Sequence, residues 1–73
     1  MRRLRFRLAI SAPQLLQYYQ GRTGALSVQT EQGVRLQIGL HHFRRFVSHD
    51  GLQGHFEITL NAENQFQQLL RLA

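Results

Sequence analysis

Two segments of this chain alternate apolar and polar residues one for one, and that spacing limits the fold more than any other feature. In residues 3–10 (RLRFRLAI), Leu4, Phe6, Leu8 and Ile10 take one set of positions, and Arg3, Arg5, Arg7 and Ala9 take the other. In residues 55–60, Phe56, Ile58 and Leu60 alternate with His55, Glu57 and Thr59. A strand sends successive side chains to opposite faces, whereas a helix repeats every three to four residues. Period two therefore predicts two strands, each with one face buried. The outward face of the first is a row of three arginines, which is either wet or set against something anionic.

The second strand sits in the densest stretch of the chain, residues 44–60. Arg44, Arg45, Phe46 and Val47 lead into Ser48, His49, Asp50 and Gly51, a turn signal, and Gly54 then opens the strand. This strand is expected at the centre of a small sheet.

The other elements follow from caps and spacing. Ser11 is a suitable N-cap, Pro13 stands where its missing N–H does little harm, and Gln14 follows Ser11 by three as in a capping box. A helix over residues 12–20 follows, held by Leu15, Leu16 and Tyr19 against the sheet and stopped at Gly21. Arg22, Thr23 and Gly24 form a connector. Residues 25–30 and 34–38 read as a hairpin of two strands, with Leu26, Val28, Val34, Leu36 and Ile38 inward and Gly33 in the turn at positive φ. Leu40, Phe43 and Val47 suit a short helical turn over residues 40–46, with His41, His42, Arg44 and Arg45 on its outer side. After a polar turn at residues 61–64, the last segment admits two patterns. Phe66, Leu69, Leu70 and Ala73 would line a helix, while Phe66, Gln68, Leu70 and Leu72 would line a strand. Its length and the preceding turn favour the strand, paired with residues 55–60.

The order β-α-β-β-short helical turn-β-β with hairpin links gives an α+β fold. One small domain over residues 1–73 is expected, built on a curled antiparallel sheet of about five strands, which a half-open barrel would also satisfy. A chain of 73 residues buries a modest core. With no cysteine, neither a disulfide nor a thiolate metal site can add to it, so self-association is the remaining common way to bury more surface. The lack of cysteine also fits a reducing cytoplasm. No segment has the roughly 18 apolar residues of a membrane span. Arg5 and Arg7 fall inside what would be the apolar region of a secretory signal, so none is expected.

Several pieces of the chain together form a wider pattern. They are Tyr18-Tyr19-Gln20-Gly21, then Phe46-Val47-Ser48-His49-Asp50-Gly51, then Gly54-His55-Phe56-Glu57, and finally Phe66 with Leu70-Arg71-Leu72. The pattern covers the whole chain and resembles a family of small bacterial proteins, mostly gammaproteobacterial, defined as domain of unknown function 2835. Gly39 stands where that family usually carries a proline that opens the helical turn. The resemblance implies bacterial origin and a similar length. It implies no activity and transfers no functional residue.

No enzymatic constellation stands out. Ser48, His49 and Asp50 are the three residue types of a hydrolytic triad, but contiguous side chains diverge and cannot form the relay, so they read as a turn. His41, His42, His49 and His55, with Asp50 and Glu57, have no recurrent metal-ligand spacing. No two of the four carboxylates share a spacing that would fix them on one site, and no glycine-rich phosphate loop is present. No cofactor is expected, and no membrane partner.

The basic character is the functional lead. The formal net charge is +5, and all nine Lys and Arg positions are arginine. Arginine's planar fork suits carboxylate and phosphate, although codon usage and solubility also account for such a charge. Arg3, Arg5 and Arg7 form one strand face, Arg35 joins them if its strand is a neighbour, and Arg44 and Arg45 lie on the helical turn. These six are the candidate binding residues. The expected role is a non-enzymatic binding module that meets an acidic protein surface, or a second copy, through this face or a sheet edge. The alternative is weak, sequence-tolerant RNA or DNA binding by the same arginines. Only Tyr18 looks free to stack on a base, because Phe6, Phe56 and Phe66 alternate in step with core residues.

Overall fold

The computed structural model describes residues 1–21 and 24–73. Strand β1 runs Arg2–Ser11, helix α1 Ala12–Gln20, β2 Ala25–Gln29, β3 Arg35–Gly39, a 3-10 helix Leu40–Phe46, β4 Gly51–Leu60 and β5 Phe66–Arg71. The element order and the α+β class are those expected, and the last segment is a strand. The connector residues Arg22 and Thr23 fall outside the described residues.

The five strands do not form one curled sheet. They divide into an antiparallel three-stranded sheet, β1-β4-β5, and an antiparallel β2-β3 hairpin. The physical reason lies in the connections. β1 and β4 pair over ten residues, from Arg2 opposite Leu60 to Ser11 opposite Gly51. Instead of a strand, the turn after β2 meets the other edge of β1: the Glu31 N–H donates to the Arg5 carbonyl at 2.7 Å, and the Arg5 N–H donates to Gln32 Oε1 at 3.1 Å. In that turn Gly33 takes φ +82° as expected.

α1 begins where the capping pattern placed it. Gln14 N–H donates to Ser11 Oγ, and Ser11 N–H donates to Gln14 Oε1 at 3.1 Å. Its packing differs from expectation, because only Leu15 is buried while Leu16 and Tyr19 are exposed. Leu16 is turned about 100° from Leu15 around the helix, and Tyr19, a turn further on, lies beyond the buried cluster.

β4 starts earlier than the sequence suggests. Gly54 does not open it but lies inside it, and Gly51 begins it. Gly51 is required there. Its φ is +112°, and a Cβ would come within 2.1 Å of the Ile10 carbonyl oxygen and 2.8 Å of Ala12 N. This is where β1 passes into α1, so the two backbones can touch only at a residue without a side chain.

β5 also departs from expectation. Leu60 pairs with Phe66 and Thr59 with Gln68, so Gln67 is an extra residue at a bulge. One extra residue exchanges the faces of everything after it. Leu69, opposite Ile58, is therefore buried, whereas Leu70, opposite Glu57, is 39% exposed and Leu72 44% exposed. The expected inward set of Phe66, Gln68, Leu70 and Leu72 holds only for Phe66, which is half-buried.

The core lies between the inner face of β1-β4-β5 and the hairpin, the 3-10 helix and α1. Its centre is aromatic. Phe6 stacks on Phe56 at 5.8 Å, and Phe43 and Phe46 meet Phe56 edge-on at 5.8 and 5.3 Å, distances at which such pairs add to the area they bury.

Candidate functional site

The outer face of the three-stranded sheet carries the candidate arginines. Register sets it out in three rows: Arg3, Thr59 and Gln68; Arg5, Glu57 and Leu70; Arg7 and His55. Leu72 completes the third row, since its N–H donates to the His55 carbonyl at 2.7 Å. Columns from β1, β4 and β5 therefore carry different chemistry. The β1 column is cationic, the β4 column is polar and acidic, and the β5 column is amide and leucine.

The arginine row is not a uniform positive stripe. Arg5 Nε donates to Glu57 Oε2 at 3.1 Å. His55 Nε2 lies 2.6 Å from Glu31 Oε2, which reaches over from the hairpin turn. The Glu57 side chain is 14% exposed and that of His55 17%, and Thr59 is buried. The middle column thus forms a floor in which Glu57 and His55 already have partners. Among the described residues, Arg3 and Arg7 are exposed and enter no ion pair. The lining of a depression at the Arg3 end includes Arg3, Glu57, Thr59, Gln67, Gln68 and Leu70.

The other candidate arginines lie elsewhere. Arg35 is exposed on β3, opposite Gln29, and β3 does not pair with β1. Arg44 is exposed on the 3-10 helix. Arg45 holds two elements together. Its Nη2 donates to the Leu69 carbonyl at 2.8 Å, and its guanidinium lies 4.9 Å from the Phe46 ring centre. Six candidates therefore reduce to three on one face, one of them neutralised.

The histidines are dispersed. His49 Nε2 and Asp50 Oδ1 are 3.5 Å apart on an exposed turn. Ser48 Oγ accepts from the Asp50 N–H at 3.3 Å and lies 3.5 Å from the Gly51 carbonyl, so it serves the turn and not the imidazole. His42 is not on an outer side as expected but is stacked on Phe66 at 3.7 Å, with His41 3.9 Å away. Burial, and then the neighbouring His41, hold the His42 imidazole below its ordinary pKa. Among the described residues, no three histidines or carboxylates are placed to hold one metal ion.

Sequence reasoning missed Glu57 as the partner of Arg5, Glu31 as the partner of His55, and the leucines that border the face. Glu57 could have been found, since it shares the outward parity of a strand expected beside the arginine strand. Leu70 could not, because its face depends on a bulge.

Among the described residues, no helix is long and apolar enough to cross a membrane. Comparison with curated proteins and with solved structures returns no match. A family model does match, over residues 2–72, and on that evidence the chain belongs to the family described as Protein of unknown function (DUF2835).

Proposed function

We propose that this domain is a non-enzymatic bacterial binding module that works in the cytoplasm and docks acidic protein surfaces on the outer face of β1-β4-β5. The observation that carries the reading is the pair of exposed arginines, Arg3 and Arg7, on a sheet face bordered by exposed Leu70 and Leu72. Cations beside apolar surface suit a protein partner, because the leucines add burial to what the guanidinium groups supply in direction. The face supports this better than either edge. The hairpin turn covers β1 at Arg5, and Arg45 covers β5 at Leu69.

Nucleic acid is the second reading. It takes the same arginines and adds Tyr18 and Tyr19, both exposed on α1. The exposed Leu70 and Leu72 beside the arginines weaken it, since a phosphate chain has no apolar flank to cover them.

The test is a titration with labelled polyglutamate, a stand-in for an acidic surface, and with a short labelled RNA. Both are run at about 50 and about 200 mM salt, on the native chain and on an Arg3/Arg5/Arg7 triple alanine variant. Polyglutamate binding that disappears in the variant supports the reading. RNA binding that is tighter and equally arginine-dependent replaces it with the second. Light scattering on the same samples shows whether a second copy is the partner.

A further inference from the structure

The geometry points to a particular occupant for this face: an acidic amphipathic helix of a partner protein, lying along β4 with one flank on Arg3 and Arg7 and the other on Leu70 and Leu72. This rests on the protein-binding reading above and specifies the partner's form.

Three observations select a helix. The first is that the edges are blunted. The β1 edge is engaged at Arg5 by Glu31 and Gln32, and the β5 edge at Leu69 by Arg45. A partner strand that paired across Arg5 or Leu69 would have to break these contacts, whereas a partner on the face breaks none.

The second is shape. Neighbouring strands stand about 4.8 Å apart, which puts the β1 and β5 columns about 10 Å from each other. That matches the width of a helix, about 10 Å with its side chains. The β4 column between them is low, with Thr59 buried and Glu57 and His55 nearly so, while both flanking columns are exposed. The face is therefore a trough along β4. The depression beside Arg3 and Leu70 is one end of it.

The third is the layout of charge. Glu57 is matched by Arg5, and His55 is hydrogen-bonded to Glu31, so the side chains of the floor already have partners. The unmatched charge sits at Arg3 and Arg7, four residues apart on one strand and about 13 Å from each other. On a helix, carboxylates seven or eight residues apart lie on one side and about 10–12 Å apart along the axis. Long arginine side chains span the difference. The β5 column has no charge: Gln68, Leu70 and Leu72. The occupant must therefore be acidic on one flank and apolar on the other.

The experiment uses the full chain and a fluorescein-labelled 18-residue peptide, stapled into a helix, with glutamates on one flank and leucines on the adjacent one. Its controls are a scrambled peptide of the same composition, polyglutamate and a short RNA. Fluorescence anisotropy at about 50 mM salt is the readout, because exposed ion pairs are least screened there. The helix is expected to bind at least about tenfold more tightly than the scrambled peptide or polyglutamate. The Arg3→Glu/Arg7→Glu variant should lose about tenfold or more, and the Leu70→Ser/Leu72→Ser variant several-fold, as expected when each flank supplies part of the contact. All four positions are exposed, so circular dichroism should show both variants folded.

Equal binding of helix, scrambled peptide and polyglutamate overturns the helical occupant and leaves the acidic reading standing. Undiminished binding in either double variant overturns the placement on this trough. Failure of every acidic probe, with the RNA bound, overturns the placement and the protein-binding reading together.

Discussion

β1 and β5 flank the same strand, yet they meet β4 in different ways. β1 runs ten residues beside it without interruption, and every apolar residue keeps the face its position implies. β5 runs six residues, takes a bulge after its first pair, and turns Leu70 outward, with Leu72 exposed just past its end. The contrast shows what alternation can and cannot specify. Four apolar side chains in strict step hold β1 in register, because a slip of one residue would expose them all. The last segment has Phe66, Leu69 and Leu70 in β5 and Leu72 just after it, which no single register can bury together. The bulge settles the conflict in favour of Leu69, which packs in the core beside Ile58.

The sharpest way to break the β1 side of this contrast is Gly51→Ala. The ladder from Arg2 to Ser11 closes only if the β4 backbone passes the β1–α1 junction at Gly51, where a methyl group would lie 2.1 Å from a carbonyl oxygen. Main chain cannot rotate aside as a side chain can. Overpacking and positive φ together should cost about 3–5 kcal/mol, a large share of what a domain of this size holds. Urea denaturation should show the loss, and a native-like midpoint would mean that the junction is looser than the ladder implies.

Next in size is a pair of substitutions that tests the β5 side. Leu69→Ala should cost about 3 kcal/mol, as for a buried leucine truncated in a packed core. Leu70→Ala should cost less than about 0.5 kcal/mol, as for an exposed residue. Plain alternation from Phe66 makes the opposite prediction, so the two unfolding midpoints decide directly whether the bulge exists in solution. Deletion of Gln67 adds a check. It removes the extra residue while leaving Gln68, Leu69 and Leu70 on their present faces, so it should be tolerated.

The same contrast explains how much of the molecule is legible in its sequence. β1, the capping box at Ser11 and Gln14, the Gly33 turn, the 3-10 helix over residues 40–46 and the central place of β4 are local matters, written in spacing and turn chemistry, and all are found where expected. What is illegible depends on meetings between distant segments. The division into two sheets depends on Glu31 and Gln32 meeting Arg5, and the early start of β4 on Gly51 meeting Ile10. The face of β5 depends on a choice among leucines. For the candidate site, the alignment of Arg3, Arg5 and Arg7 is legible, whereas the neutralisation of Arg5 and the structural engagement of Arg45 are not.

β5 is also held from its free edge by the 3-10 helix, through Arg45 on the Leu69 carbonyl and His42 on Phe66. Arg45→Ala should cost about 1 kcal/mol for one hydrogen bond and one contact with an aromatic face. The His42 contact adds a pH dependence of known sign. Its pKa is lowered in the fold by burial and by His41, so the unfolded chain takes up the proton first as pH falls. The stability from this group is complete above the unfolded value, near 6.5, and is lost as pH drops from there towards the lower folded value. His42→Phe should flatten that part of a stability–pH profile.

The smallest effect separates the two kinds of arginine on β1. Arg5 is bonded to Glu57 at 3.1 Å, but its side chain is more than half exposed, so the pair is screened by water and salt. Arg5→Ala should cost about 0.5 kcal/mol at low ionic strength and less at about 0.5 M salt, while Arg7→Ala should change stability by no more than the error of the measurement. Binding should rank them the other way. Loss of Arg7 removes a charge available to a partner. Loss of Arg5 releases Glu57, which places a bare carboxylate in the floor of the trough and repels an acidic probe, though from a less exposed position. Measured together, stability and polyglutamate affinity should therefore move in opposite orders for the two variants. If Arg5→Ala also lost more affinity than Arg7→Ala, the Arg5 charge would be the more available to a partner, and the distinction between a matched floor and unmatched flanks would be lost.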